Sequence, residues 1–256
     1  MDEETFETTV TTSDIELSPQ YTPTAFDVSV VHRYLQHFVP TELAYIILDE
    51  AQYWACLSAE RNEKLSIVAS GYGETNNLAA YYLFSPAIPQ KAEIKIQLVR
   101  FKIMSCDQGW GGNVHDQGTY NACYSWFEAG IVRAHGAVSA LQEASEEPGR
   151  GAAVFNKVAF SGDPPREVMN PLDPGRKRWF LQFNAHASSH LRTHEVLWTK
   201  DDNDVQARAR ERGAGTGDGF VGRLTQGDRV AIIARAQYGG WANHVSNAKI
   251  EIFYSL

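Results

Sequence analysis

Cysteine is scarce. The chain holds three, Cys56, Cys106 and Cys123, an odd number with no CxxC spacing. That excludes a disulfide framework as the main source of stability and points to a reducing compartment, although Cys106 and Cys123 could still meet across a hairpin. Long apolar runs are missing too: none approaches the ~20 residues of a membrane span. The opening "MDEETFETTV" is acidic where a signal peptide needs basic and then apolar residues. A cytoplasmic or nuclear protein is therefore expected, with no signal peptide and no membrane partner. Basic residues are absent from positions 1 to 30. There Asp2, Glu3, Glu4, Glu7, Asp14, Glu16 and Asp27 supply seven of the eight excess negative charges. The remainder is nearly balanced and carries no basic stripe, which argues against nucleic acid as a partner. Catalytic signatures are thin as well: there is no GxSxG, no HExxH, and no GxGxxG after a strand.

What is present is enough for a core. The 256 residues are 43% apolar, which suits one large all-β domain or two small ones. Residues 1–28 read as a flexible acidic tail, 29–65 as a helical segment, and 66–256 as a β-sandwich. In "VPTELAYIILDEAQYWACLSAERN", Leu43, Ile46, Ile47, Glu50, Ala51 and Trp54 step at helical spacing behind Pro40-Thr41. This predicts one helix over 41–60, with Tyr53 and Trp54 anchoring it. The period then changes to two. "AEIKIQLVRFKIMS" alternates through Ile94, Ile96 and Leu98 and resumes at Phe101 and Ile103, so a β-bulge or a shift of burial is expected at Leu98–Val99.

Further strands are expected in "YNACYSWFEAGIV", "KRWFLQFNA", "THEVLWTK", "GDRVAIIARAQY" and "AKIEIFYSL". Residues 141–176 read as surface insertions around a short strand, and 201–219 as another loop. Several strands with polar loops and no βαβ alternation predict an all-β, antiparallel jelly-roll sandwich with one N-terminal helical segment.

Two passages rhyme. "CDQGWGGNVHDQGTY" and "QYGGWANHVSNAKIEIFY" each set a Trp beside glycines, then Asn and His before a strand. In a jelly roll, loops of neighbouring strands can share one end. These passages, with "RWFLQFNAHASSHLRTHEVLWTKDD", resemble a galactose-binding-domain-like β-sandwich over residues 90–256. They are also similar to F-box-associated domains that recognise N-linked glycans, and to uncharacterised fungal sandwich domains with the same Asp-Gln-Gly-Trp text. "VPTELAYIILDEAQYWA" resembles the opening of an F-box, which implies a ubiquitin-ligase adaptor, although a full F-box needs more helices than precede the first strands.

The resemblance implies non-catalytic recognition of a glycan or a protein. Trp110 and Trp241 would supply flat faces for stacking. Asp107, Gln108, Asn113, Asp116, Asn243 and His244 would supply hydrogen bonds, and Gly109, Gly111 and Gly112 a tight backbone. The same residues also read as plugs and turn formers. The alternative is a cryptic pocket enzyme, of isomerase, cyclase or hydrolase type, with Asp107, His115 and Glu128 as acid–base candidates. "HASSHLRTH" spaces His186, His190 and His194 four apart, which suits zinc on a helix, but the flanking text is strand-like and no zinc site is expected. Asp201, Asp202 and Asp204 are calcium candidates without EF-hand spacing, so structural calcium is the sole cofactor considered.

Overall fold

The period-two segments become ten strands in the computed structural model, which describes residues 21–71, 76–90, 94–133, 166–173, 177–200, 209 and 211–256. In chain order they are β1 (Ala55–Arg61), β2 (Leu65–Val68), β3 (Asn77–Phe84), β4 (Lys95–Asp107), β5 (Ser125–Arg133), β6 (Arg166–Glu167), β7 (Trp179–Phe183), β8 (Arg192–Thr199), β9 (Asp228–Gln237) and β10 (Ala242–Ser255). One sheet runs β1-β10-β4-β8, with β2 also on β10; the other runs β3-β9-β5-β6, with β7 also on β5. All their pairings are antiparallel. Between β3 and β5, and again from β7 to β10, each successive strand lies in the opposite sheet. That alternation makes the protein a jelly-roll β-sandwich.

Alternation in sequence decides which side chains fill the space between the sheets. Ile96, Val99, Phe101 and Ile103 of β4 face Phe127, Ala129 and Ile131 of β5, with Ile232 and Ala234 of β9 beside them, all in one buried cluster. On the outer side of β4, Lys95 and Lys102 stay exposed while Arg100 and Met104 are half-buried. Each fully buried Ile or Phe contributes about 1.5–3 kcal/mol of apolar transfer energy. The expected slip is a bulge one residue earlier: Phe253 pairs with Leu98 and Tyr254 with Ile96, so Gln97 is the extra residue. It lets Val99 resume the inward face that Ile96 began. Towards one end the core is aromatic, with Trp198 4.9 Å from Phe220, and Trp179 on the other side of Phe220 at 5.0 Å.

The helical segment differs from expectation. The helix predicted over 41–60 ends at Glu50 (α2, Thr41–Glu50), and β1 begins at Ala55. Gln52 takes a left-handed φ of 49°, which reverses the chain, and "ACLSAER" then pairs with β10 residue for residue. β1 and β2 thus belong to the sandwich, not to the helical segment. A second helix, α1 (Ala25–Leu35), crosses the expected end of the tail. Thr24 and Asp27 form its capping box, and the Thr24 donors hold the Asp27 carboxyl below its usual range. Trp54 is half-buried and donates to Asp49 Oδ1 at 3.0 Å, while Tyr53 packs on the core. Most of the insertion expected over 141–176 lies outside the described residues. Among those described, no helix is long and apolar enough to cross a membrane.

Candidate functional site

Antiparallel pairing of β4 with β10 places Asn243 opposite Asp107, so the end of one strand and the start of the other emerge together. The two Trp-bearing turns therefore share a rim. Gln108 clips them: its Nε2 donates to the Trp110 carbonyl at 2.7 Å, and its Oε1 accepts from the Ala242 N–H at 3.0 Å. The Trp110 ring lies against Gly240, where an added Cβ would sit 3.0 Å from the indole. Even so, Trp110 is 64% exposed.

Beside it, Tyr124 meets Trp241 edge-on at 5.1 Å and Tyr238 at 4.7 Å. Tyr238 holds a left-handed φ of 68°, which is uncommon for a bulky residue and a sign of stored strain. The rim is a patch of four aromatic residues.

Beneath the patch is a buried polar floor. Ser105 Oγ donates to Asn184 Oδ1 (2.7 Å), and Asn184 Nδ2 donates to Ser125 Oγ (3.0 Å) and Asn243 Oδ1 (3.1 Å). Asn243 Nδ2 reaches the carbonyls of Trp126 and Arg235 at 2.9 and 3.2 Å. Asp107 accepts from the backbone N–H groups of Gln108 and Ala187, each at 2.8 Å, and from the Ser125 hydroxyl at 3.2 Å. All of these side chains are fully buried.

Such a network is stabilising only because each member is satisfied. Burial pushes the Asp107 carboxyl above its usual range, against the three donors that favour the ionised form. It also drives the Cys123 thiol up to about 12, with the Asp107 charge adding to the effect. All three cysteines are free, and Cys123 is no activated nucleophile.

The expected contact residues thus separate. Asp107 and Asn243 occupy inward positions of paired strands, so their polar atoms are spent inside the protein and offer nothing to a ligand. Gln108 builds the rim. Asn113 Oδ1 caps the short 3-10 turn Val114–Asp116 by accepting from the His115 N–H at 3.1 Å, leaving Asn113 and His115 exposed and Asp116 half-buried. His244 faces the other way and bonds Ser66 Oγ at 2.8 Å.

The acid–base trio does not assemble. Asp107 points between the sheets and His115 into solvent. Glu128 lies on the outer side of β5, ion-paired with Arg235 at 3.1 Å and Arg178 at 3.6 Å. Clefts of about 700 Å³ (between α1, α2 and the end of β10) and about 420 Å³ (beside β7) border none of the three.

The three histidines are equally apart. Both His186 ring nitrogens face carbonyl oxygens, those of Ala122 (2.9 Å) and Gly111 (3.2 Å); His190 is exposed; His194 is buried against Tyr120. Gly112 leaves room for His186, since a Cβ there would be 2.2 Å from Nε2. No metal-holding cluster of three acidic, His or Cys groups occurs among the described residues. Asp201, Asp202 and Asp204 lie outside them. Sequence reasoning missed Tyr124 and Tyr238, although Tyr238 lies within the second rhyming passage, in "QYGGW", and Tyr124 four residues beyond the end of the first, in "CYSW".

Comparison with known proteins adds little. No family model matches the chain. No curated protein matches it. Among solved structures, the crystal structure of decameric BFDV capsid protein is similar at 13% identity, covering 79% of this chain and 96% of that one, with a TM-score of 0.27. That score carries nothing about function, and no relation to galactose-binding-like or F-box-like domains is shown.

Proposed function

We propose that the aromatic rim is a non-catalytic recognition surface, and that its ligand is a neutral glycan. The observation that carries this is the exposed Trp110 indole, held in place by the Gln108 clip and by Gly240 rather than folded into the core. A solvent-facing Trp packed on Gly240, two residues from Tyr238, supplies the flat apolar surface on which the C–H face of a sugar ring stacks. The exposed polar side chains nearest it in sequence, Asn113, His115 and Gln117, are amide or imidazole groups suited to hydroxyls rather than to a strong anion. The fixed floor lowers the ordering cost of binding. A recognition role of this kind agrees with the galactose-binding-like and F-box-associated resemblance of the turn sequences.

The test is a glycan array probed with the native chain and with Trp110→Ala. Binding to neutral glycans that is lost in the variant, with its unfolding midpoint unchanged, is the expected outcome. Binding equal in both proteins, or directed only to proteins or acidic sugars, would remove this reading.

A further inference from the structure

The helical pair breaks the rule that a surface helix is apolar on one side. α1 sends Val28 into the core, with Ala25, Val31 and Leu35 packed beside it. Its opposite side carries Phe26, Val30 and Tyr34 at a spacing of four, 75%, 46% and 63% exposed, and the stripe continues to Phe38 at 70%. Tyr34 and Phe38 stack edge-on in solvent, 5.2 Å apart. α2 repeats the arrangement: Ala44 and Leu48 are buried, while Leu43, Ile46 and Ile47 are 47%, 54% and 41% exposed. A helix that is apolar on both sides belongs in an interior. At about 200 Å² per aromatic side chain and somewhat less per aliphatic one, these exposures leave on the order of 750 Å² uncovered. Summed over the two helices, that is above the roughly 300–600 Å² of the largest patch on an ordinary monomer. It matches the ~800 Å² that each partner gives to a stable interface.

The charges bordering the stripe select the occupant. α1 carries Arg33 on its solvent side, followed by His37, while α2 carries Glu42 and Glu50, all exposed. Set across a two-fold axis, with α1 of one copy on α2 of the other, each basic edge meets an acidic edge, and the contact is made twice. The face is complementary to itself. We propose that the α1–α2 face is a dimer interface between two copies of this chain, closed as a four-helix layer outside the sandwiches. Both aromatic rims lie on the sandwich and stay available.

The test is sedimentation velocity of the full chain from about 1 to 100 µM, where a stable interface of this area is populated. A dimer is expected. The double variant Phe38→Glu/Ile46→Glu should weaken it at least about a hundredfold, because each substitution buries an unpaired charge twice per dimer. Its circular dichroism should stay native. If that variant fails to fold, the milder Phe26→Ser/Tyr34→Ser should weaken the dimer in the same direction. A monomer throughout the range overturns the proposal, as does a dimer that survives in every folded variant. A monomer that binds a different protein through these side chains overturns it too, and would assign the face to an adaptor role.

Discussion

Replacing His194 should change how the protein responds to acid. The imidazole faces inward from β8, opposite Ile103, and is 6% exposed. Its Nε2 has no hydrogen-bond partner. Burial, reinforced by the charges of Arg192 and Arg212, lowers its pKa from 6.5 to about 4. In the unfolded chain the ring takes a proton near pH 6.5; in the folded chain it does so only near pH 4. Between those values the unfolded state binds more protons, so stability falls as the pH falls, and below about 4 the loss is complete. A shift of this size, at about 1.4 kcal/mol per pH unit, amounts to about 3 kcal/mol. That is a large part of the 5–15 kcal/mol typical of a folded domain.

His194→Leu removes the titration and leaves no polar atom unpaired. Urea unfolding of both proteins between pH 7.5 and 4.5 isolates the effect, because the other carboxylates and histidines cancel in the difference. The stability difference should move by about 2–3 kcal/mol in favour of the variant across that interval. Parallel pH curves for the two proteins would show that His194 is protonated, or solvated, in the folded state.

The buried floor gives a second test: Asp107→Asn sets an amide N–H against one of the donors of Gln108, Ala187 or Ser125, and should cost about 1–3 kcal/mol in denaturant unfolding. A loss below 0.5 kcal/mol, on the same order-of-magnitude scale, would mean that the network rearranges freely. Gly112→Ala places a Cβ on the His186 ring at a φ of 66°; it should lower the unfolding midpoint and blue- or red-shift Trp fluorescence as the turn moves. In a thiol-labelling assay at pH 8 the native protein should react far more slowly than the unfolded chain, since burial holds the Cys123 thiol near 12 and the Cys56 thiol near 11. Prompt labelling of one thiol per chain would show that thiol to be open to solvent and would refute the reasoning.

Local alternation made the sandwich legible, because the inward positions of β4, β5, β9 and β10 are apolar with few exceptions. The slip at Leu98 marked the bulge to within a residue for the same reason. The α1 helix was hidden by its composition: Thr24-x-x-Asp27 is a weak capping signal, and the acidic text before it masked the start. The meeting of the two Trp turns could be guessed from their similar wording, but the roles of their residues could not. Asp, Asn and Gln look alike in sequence whether they face a ligand or a neighbouring strand. Only the register Asn243–Asp107 shows that both point inward, and only the partnership with Asn184 and Ser125, both distant in the chain, explains why charge and amide are tolerated there. Glu128 misled for the opposite reason, since its two arginine partners lie 50 and 107 residues away.

The placement of β10 has a consequence for how the chain is made. It is the last strand in chain order, yet β1, β2 and β4 all hydrogen-bond to it, joining Ala55 to Tyr254. β1 and β2 have no other partner in this sheet, so they and one edge of β4 stay open until residues 242–255 are synthesised. Closure over such a separation makes for slow folding and a period of vulnerability to aggregation. Nascent chains of this protein should depend on chaperones most heavily just before residues 242–255 emerge.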